Sequence, residues 1–336
     1  MSSAPSILQD RRKLSASVLR RVLHALGIYV VLAALCVVGV LVSPEFLGPK
    51  NLLDILRSIT LLGMVAVGVA FITYSKHYVD ISIPAIMAFS GLAAISAQPL
   101  GIVPCLACGL AAGMLIGLVN GFAVGYMRLN PIIWTLAMAF MLDGFLRWAY
   151  EGQQIYPDPA TEAGAAFLVL SQREVFGFFP YPTLVMLVVV AVGVRLMKRT
   201  RFGAQVQLTG AAYEVARTSG VNVRRVVLLV FLLSSLATSL AGLFLTSMNK
   251  QGTFETGAGY DFNAVTAVVI GGVGLSGGRG SILGVLGGVL VIGVLTNIMN
   301  LAGLDSYTQM VVKGIVFIAV VAVTTWLAGR SGRSDE

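Results

Sequence analysis

Ten apolar runs, most of them close to the length that crosses a bilayer, decide what this chain can fold into. They lie near residues 23–43, 55–75, 81–98, 101–126, 132–150, 181–198, 226–248, 261–275, 281–301 and 308–328. A helix needs about 20 predominantly apolar residues to cross the hydrocarbon core. No alternating pattern of barrel strands interrupts the runs, so helices are the expected choice. Only 11% of the 336 residues are charged, less than half of the roughly 25% in a soluble domain. The expected class is an all-α polytopic membrane protein with about ten transmembrane helices.

Lysine and arginine orient it. With the N-terminus inside, the inner segments hold Arg11, Arg12, Lys13, Arg20, Arg21, Lys76 and Arg128. The 195–225 stretch adds Arg195, Lys198, Arg199, Arg201, Arg217, Arg224 and Arg225, and Arg279, Arg330 and Arg333 complete the set. The outer segments keep Lys50, Arg57, Arg173 and Lys250, with Arg147 at a helix end. This positive-inside bias places both termini in the cytoplasm. The expected organisation is a cytoplasmic tail over 1–22, a membrane domain over 23–328 and a short cytoplasmic tail over 329–336. The domain carries an outer loop at 151–180, with room for a short helix resting on the membrane surface, and an inner loop at 199–225.

Several functions are excluded. The net charge of +8 comes from clusters between apolar runs, with no basic stripe interleaved with aromatics, so nucleic acid is not an expected partner. Cys105 and Cys108 have C-x-x-C spacing, but there is no second pair and no nearby His, so packing is favoured over metal or redox chemistry. His24 and His77 have no metal-ligand company, and no Ser/His/Asp or H-E-x-x-H arrangement occurs. An enzyme is not expected.

The stretch VVIGGVGLSGGRGSILG contains a literal G-x-G-x-x-G at Gly272, Gly274 and Gly277. A dinucleotide fingerprint needs a strand before it, a helix after it and an acidic residue about 20 positions on. Membrane runs flank it instead, and no carboxylate appears before Asp305. No P-loop pattern occurs in the chain either. Gly271, Gly272, Gly274, Gly277, Gly278 and Gly280 are expected to form a tight turn and let helices approach, as are Gly284, Gly287 and Gly288.

Ionisable groups inside the spans are few. Asp143 and Arg147, four apart, are expected to pair on one helix face, and Asp80 and Asp261 lie at helix beginnings. Lys313 falls inside the last span. A translocation path would therefore rest mainly on neutral polar groups, and Ser82, Trp134, Thr135, Asn297 and Asn300 are the candidates, together with the carboxyl of Asp80. The alternative, that such groups satisfy one another between helices, stays open. In the inner loop, AAYEVARTSG reads as a short amphipathic helix with Glu214 early, Arg217 late and Gly220 closing it. It is either a handle for a soluble partner or a solvated helix.

Three segments carry a family resemblance: TRFGAQVQLTGAAYEVARTSGVNV, GAGYDFNAVTAVVIGGVGLSGGRGSILG and NIMNLAGLDSYTQMVVKGIVFI. Together they resemble the ribose-type permease subunits of bacterial ABC importers for simple sugars. The glycine motif alone also resembles branched-chain amino acid permeases. The resemblance implies a ten-helix permease of type II-like importer fold in the bacterial inner membrane, working as a homodimer by alternating access. It implies an ABC ATPase partner that binds ATP and Mg2+, a periplasmic or lipoprotein sugar-binding protein, and a monosaccharide or related polyol as cargo. No cofactor is expected on this chain. Ala211, Tyr213, Glu214, Arg217 and Gly220 are expected to form the coupling element seated in the ATPase. One departure stands out: where family members usually read G-I-D-L-S-V-G-S, this chain has Tyr78 and Pro84 in place of the two glycines, around a retained Asp80 and Ser82. Alternatives are a branched-chain amino acid or nucleoside permease of the same build, or a stand-alone secondary transporter.

Overall fold

A computed structural model describes residues 27–77, 79–175, 179–274 and 277–332, with side chains as far as Ala322. The expected tail 1–22, Tyr78 and residues 333–336 lie outside this part. Among the described residues, ten helices match the ten apolar runs. They are α1 (Gly27–Val42), α2 (Pro49–Tyr74), α3 (Ile83–Ser96), α4 (Ile102–Gly125), α5 (Pro131–Ala149), α7 (Tyr181–Arg199), α10 (Val223–Asn249), α11 (Tyr260–Ile270), α12 (Ile282–Leu301) and α13 (Ser306–Gly332). Short helices α6 (Glu162–Val169), α8 (Arg201–Ala211) and α9 (Tyr213–Thr218) lie between them, with a small hairpin of β1 (Glu174–Val175) and β2 (Phe179–Pro180).

The helix starts follow local chemistry. Pro49 and Pro131 begin α2 and α5, where their missing N–H costs nothing. Asn130 accepts from the amides of Ile132 and Ile133, and Asp305 accepts from those of Tyr307 and Thr308 ahead of α13. Bonds from Thr308 hold the exposed Asp305 carboxyl below the usual carboxylate range. Where the runs and helices differ, the cause is local. Helix α2 begins six residues before the expected 55, because its first turn and a half carry Lys50, Asn51 and Asp54, which hydropathy discards. Helix α11 stops at Ile270, where Gly271 and Gly272 turn the chain. Helix α13 continues to Gly332, into the expected tail.

Helices α2 and α10 form the centre. Every residue of α2 from Ile59 to Tyr74 is buried, as expected for a helix apolar all round. Helix α4 meets α10 along a ladder of Gly109, Gly113, Gly117, Gly121 and Gly125. A Cβ at Gly113 would overlap Ser239 Oγ, one at Gly117 would overlap Ser235 Oγ, and one at Gly121 would lie 2.8 Å from Leu228 Cα. Lipid gives helices no hydrophobic reason to associate, so van der Waals contact between close backbones supplies the attraction. This spacing of four is visible in the sequence.

Helices α3 and α11 are too short to cross alone. At 1.5 Å per residue, α3 spans about 21 Å and α11 about 16 Å, against a core of about 30 Å. Among the described residues, non-helical backbone continues at both, over 75–77 and 79–82 and over 271–274 and 277–281, and its buried groups need protein partners. The outer loop does hold a short helix, α6, whose Ala163 and Phe167 are buried, with Phe167 packed among Ala94, Ile95, Cys105 and Leu243 over the ends of α3, α4 and α10.

Charge is segregated along the bundle. Lys76, Arg128, Lys198, Arg199, Arg201, Arg224, Arg225 and Arg279 are exposed at the end where α2, α4, α7 and the glycine turn finish and α5, α8 and α10 begin. The opposite end carries Glu45, Asp54, Asp143, Glu151, Asp158, Glu162, Glu174, Glu255 and Asp305.

Candidate functional site

Four of the six candidate path residues meet in one place. Asp80 is fully buried between α2 and α3. Its Oδ1 accepts from the Ser82 amide at 2.9 Å and from the Ser82 hydroxyl at 2.5 Å. Ser82 in turn accepts from Asn120 Nδ2 at 2.9 Å, and Asn120 Oδ1 accepts from the Trp134 indole N–H at 3.0 Å. Thr135 accepts from the Ile81 amide at 3.0 Å and donates to the Pro131 carbonyl at 2.8 Å. The donors of one chain point the same way, from Trp134 on α5 through Asn120 on α4 and Ser82 to Asp80, while the Ile81 amide donates in the opposite sense, to Thr135 on α5. The network thus ties residues 80–82, ahead of α3, to two neighbouring helices. Asp80 Oδ2 has no hydrogen-bond partner among the described residues, so the carboxyl has capacity for one more donor. Pro84 falls in the first turn of α3, where no N–H is required.

Asn120 was not a sequence candidate. A lone Asn inside LIGLVNGFAVG is the signal that would have found it, since an amide in hydrocarbon needs a partner.

The two other candidates lie elsewhere. Asn297 on α12 is buried and exchanges two hydrogen bonds with Asn51 on α2, at 3.0 and 2.7 Å. Asn300 is exposed and accepts from Gln309 Nε2 at 2.8 Å. Asn297 therefore serves as a clamp between α12 and α2 in this conformation. Asn297→Leu is expected to cost about 2 kcal/mol by stranding Asn51, while the Asn51→Leu/Asn297→Leu pair recovers most of it. Thermal unfolding of the purified chain in one detergent checks this, and an additive double mutant would count against the clamp.

The basic end is built around α8 and α9. Thr200 caps α8 by accepting from the Gly203 amide, and an extended Ala212 breaks α8 from α9. Glu214 and Arg217 pair at 2.9 Å on the exposed side of α9, with side chains 70% and 61% exposed. Tyr213 and Val215 are also exposed, Ala216 is buried, and Gly220 ends the helix in the left-handed region at φ 81°. An exposed ion pair of this kind adds under about 1 kcal/mol to stability.

The glycine turn and α8 touch directly. Gly278 N–H donates to the Tyr74 carbonyl at 2.9 Å. A Cβ at Gly210 would overlap that carbonyl and lie 2.6 Å from Gly278 N, and one at Gly278 would lie 2.6 Å from Ala211 Cβ. Gly277 and Gly278 both have positive φ, and Gly277 N–H donates to the Gly274 carbonyl at 2.9 Å to close the turn. Gly280 also has positive φ, beside the Tyr74 hydroxyl, and Gly271 lets α11 approach Val285 Cα on α12. Three backbones, at the ends of α2 and α8 and in the glycine turn, thus meet with no side chain between them.

No group of three or more His, Cys, Asp or Glu side chains able to hold a metal ion occurs among the described residues. Cys105 is buried and Cys108 exposed, both free. Asp143 and Arg147 pair on the exposed face of α5 at 3.0 Å.

Against known proteins, residues 51–321 match the family described as branched-chain amino acid transport system, permease component. The chain is 34% identical over 303 residues to the ribose import permease protein RbsC of Bacillus subtilis, covering 89% of this chain and 92% of that one. It is 31% identical over 293 residues to RbsC of Escherichia coli, covering 84% and 87%. It is 33% identical over 300 residues to the L-arabinose ABC transporter permease protein AraH of Azospirillum brasilense, covering 88% and 86%.

Proposed function

The chain belongs to the branched-chain amino acid transport system permease family, and from that premise we propose that it is the membrane-spanning subunit of an ATP-driven importer for a monosaccharide. It is a multi-pass protein of the bacterial inner membrane. The observation that carries the sugar reading is similarity over about nine-tenths of the chain to permeases named for ribose and for arabinose. The family description also admits a branched-chain amino acid, and the named relatives weigh against it.

The remaining parts of the reading follow from the site. ATP and Mg2+ belong to a separate ATPase, since this chain has no P-loop. The basic end faces the cytoplasm by the positive-inside bias. Helix α9 is the docking element, presenting Tyr213 and Val215 around the Glu214–Arg217 pair. Movement of α9 is passed through α8 to Tyr74 and Gly278, and so to α2 and the glycine turn. A sugar-binding protein delivers the solute at the opposite end, and two permease copies enclose the path.

The test is reconstitution of the chain with its copurifying ATPase and binding protein in proteoliposomes, with labelled D-ribose, L-arabinose and L-leucine. ATP-dependent uptake of a pentose is expected, and uptake of leucine alone would overturn the sugar reading. In the same system, Glu214→Lys and Arg217→Glu are each expected to reduce uptake at least about tenfold, as the loss of one charge-assisted contact across an interface does. Membrane levels stay unchanged, because the pair adds so little to the fold. Normal uptake by both variants would remove α9 from the coupling path.

A further inference from the structure

At the acidic end, a cavity of about 390 Å³ opens between α2, α7, the end of α10 and the β hairpin. Its volume is that of a small-molecule site, and the Asp80 network does not line it. The floor is formed by Thr60 and Thr183, which are 1% and 2% exposed and whose hydroxyl oxygens lie 2.9 Å apart. Thr60 donates its single hydroxyl proton to the Leu56 carbonyl at 2.7 Å, so Thr183 is the donor between the two. The Thr183 oxygen then keeps lone pairs that receive no hydrogen bond among the described residues.

The rim has the opposite character. Arg57 stands 3.6 Å from both Asp54 and Glu174, which holds the guanidinium in place but is too long for a hydrogen bond. Its N–H groups remain available, and Gln172 also lines the cavity. Met248 supplies an apolar wall. Acceptors at the floor, donors at the rim and an apolar side fit a sugar, because each hydroxyl both donates and accepts and the ring has a C–H face. An acyl chain would leave the lone pairs of Thr183 and the N–H groups of Arg57 unused.

We propose that this cavity is an outer solute site of the permease, holding one neutral monosaccharide within a single copy of the chain; the proposal rests on the importer reading above. Neither the site nor its residues were legible in the apolar runs, because Thr60 and Thr183 are 123 positions apart.

The experiment uses the whole reconstituted complex. With Cys36, Cys105 and Cys108 replaced by alanine, Thr183→Cys is labelled with a small polar thiol reagent, with and without saturating D-ribose or L-arabinose. The transported sugar is expected to slow labelling about tenfold while leaving Tyr156→Cys, on the exposed outer loop, unaffected. Thr183→Val, which keeps the shape and loses the hydroxyl, is expected to lower uptake about tenfold, the equivalent of one hydrogen bond. Uptake without protection of Thr183→Cys, or full uptake by Thr183→Val, overturns this proposal alone. A Thr183→Cys that reacts only after detergent strips lipid makes the cavity an acyl-chain site and also overturns it. A complex that takes up neither sugar overturns the sugar-importer reading and this proposal with it.

Discussion

Gly210→Val is expected to leave the chain in the membrane, abolish uptake and release the ATPase. The new Cβ would overlap the Tyr74 carbonyl and press on the Gly278 amide. Both are backbone atoms, so no rotamer change relieves the overlap, and either α8 moves or the 2.9 Å bond between Gly278 and Tyr74 breaks. Overpacking costs about 1–3 kcal/mol, and each buried backbone group left unpaired adds about 1–3 more. Insertion depends on the apolar runs and is untouched. Copurification of the ATPase and uptake by proteoliposomes are the two readouts. Gly144→Ala on α5 is the matched control, since nothing lies within 4 Å of its new Cβ. Alanine is favoured there by about 0.5–1 kcal/mol in helix propensity. Wild-type coupling by Gly210→Val would show that the meeting of the three backbones is incidental to transport.

Asp80→Leu is expected to destabilise the chain by about 3–5 kcal/mol, close to the upper end for a single substitution. It strands the Ser82 amide and hydroxyl, and through Ser82 it loosens the hold on Asn120. Asp80→Asn retains an acceptor at the Oδ1 position and is expected to stay within about 1 kcal/mol of the parent. The cost should fall along the relay, with Asn120→Leu next and Trp134→Phe smallest, at about 1 kcal/mol for one lost bond. Thermal unfolding in a single detergent orders the series. An equal loss for Asp80→Asn and Asp80→Leu would mean that the network does not act through the Oδ1 acceptor.

These two sites differ in how far they were visible beforehand. Asp80, Ser82, Trp134 and Thr135 stand out in the sequence because polar side chains are rare in apolar runs. That they share one network with Asn120 depends on α4 and α5 packing beside the start of α3, which no periodicity reports. Asn297 and Asn300 stood out equally, yet one is occupied by Asn51, 246 positions away, and the other faces outward beside Gln309. The glycine ladder of α4 is a contrary case, since its spacing of four was open to inspection and needed no structure.

The helices themselves, and their number among the described residues, were legible in the sequence alone. In hydrocarbon a helix satisfies every backbone group within its own segment, so an apolar run of sufficient length is enough, and lysine and arginine then set the direction. Helix ends escaped that reading wherever polar first turns or glycine turns carried them past or short of the apolar boundary. The tertiary structure decided which polar groups are spent on one another and which, among the described residues, keep capacity for a further donor, as Asp80 Oδ2 and Thr183 Oγ1 do. It also decided that Gly210, Tyr74 and Gly278 meet backbone to backbone. Such contacts join residues distant in the chain, and their energies depend on distances of a few tenths of an ångström that only the packed helices set.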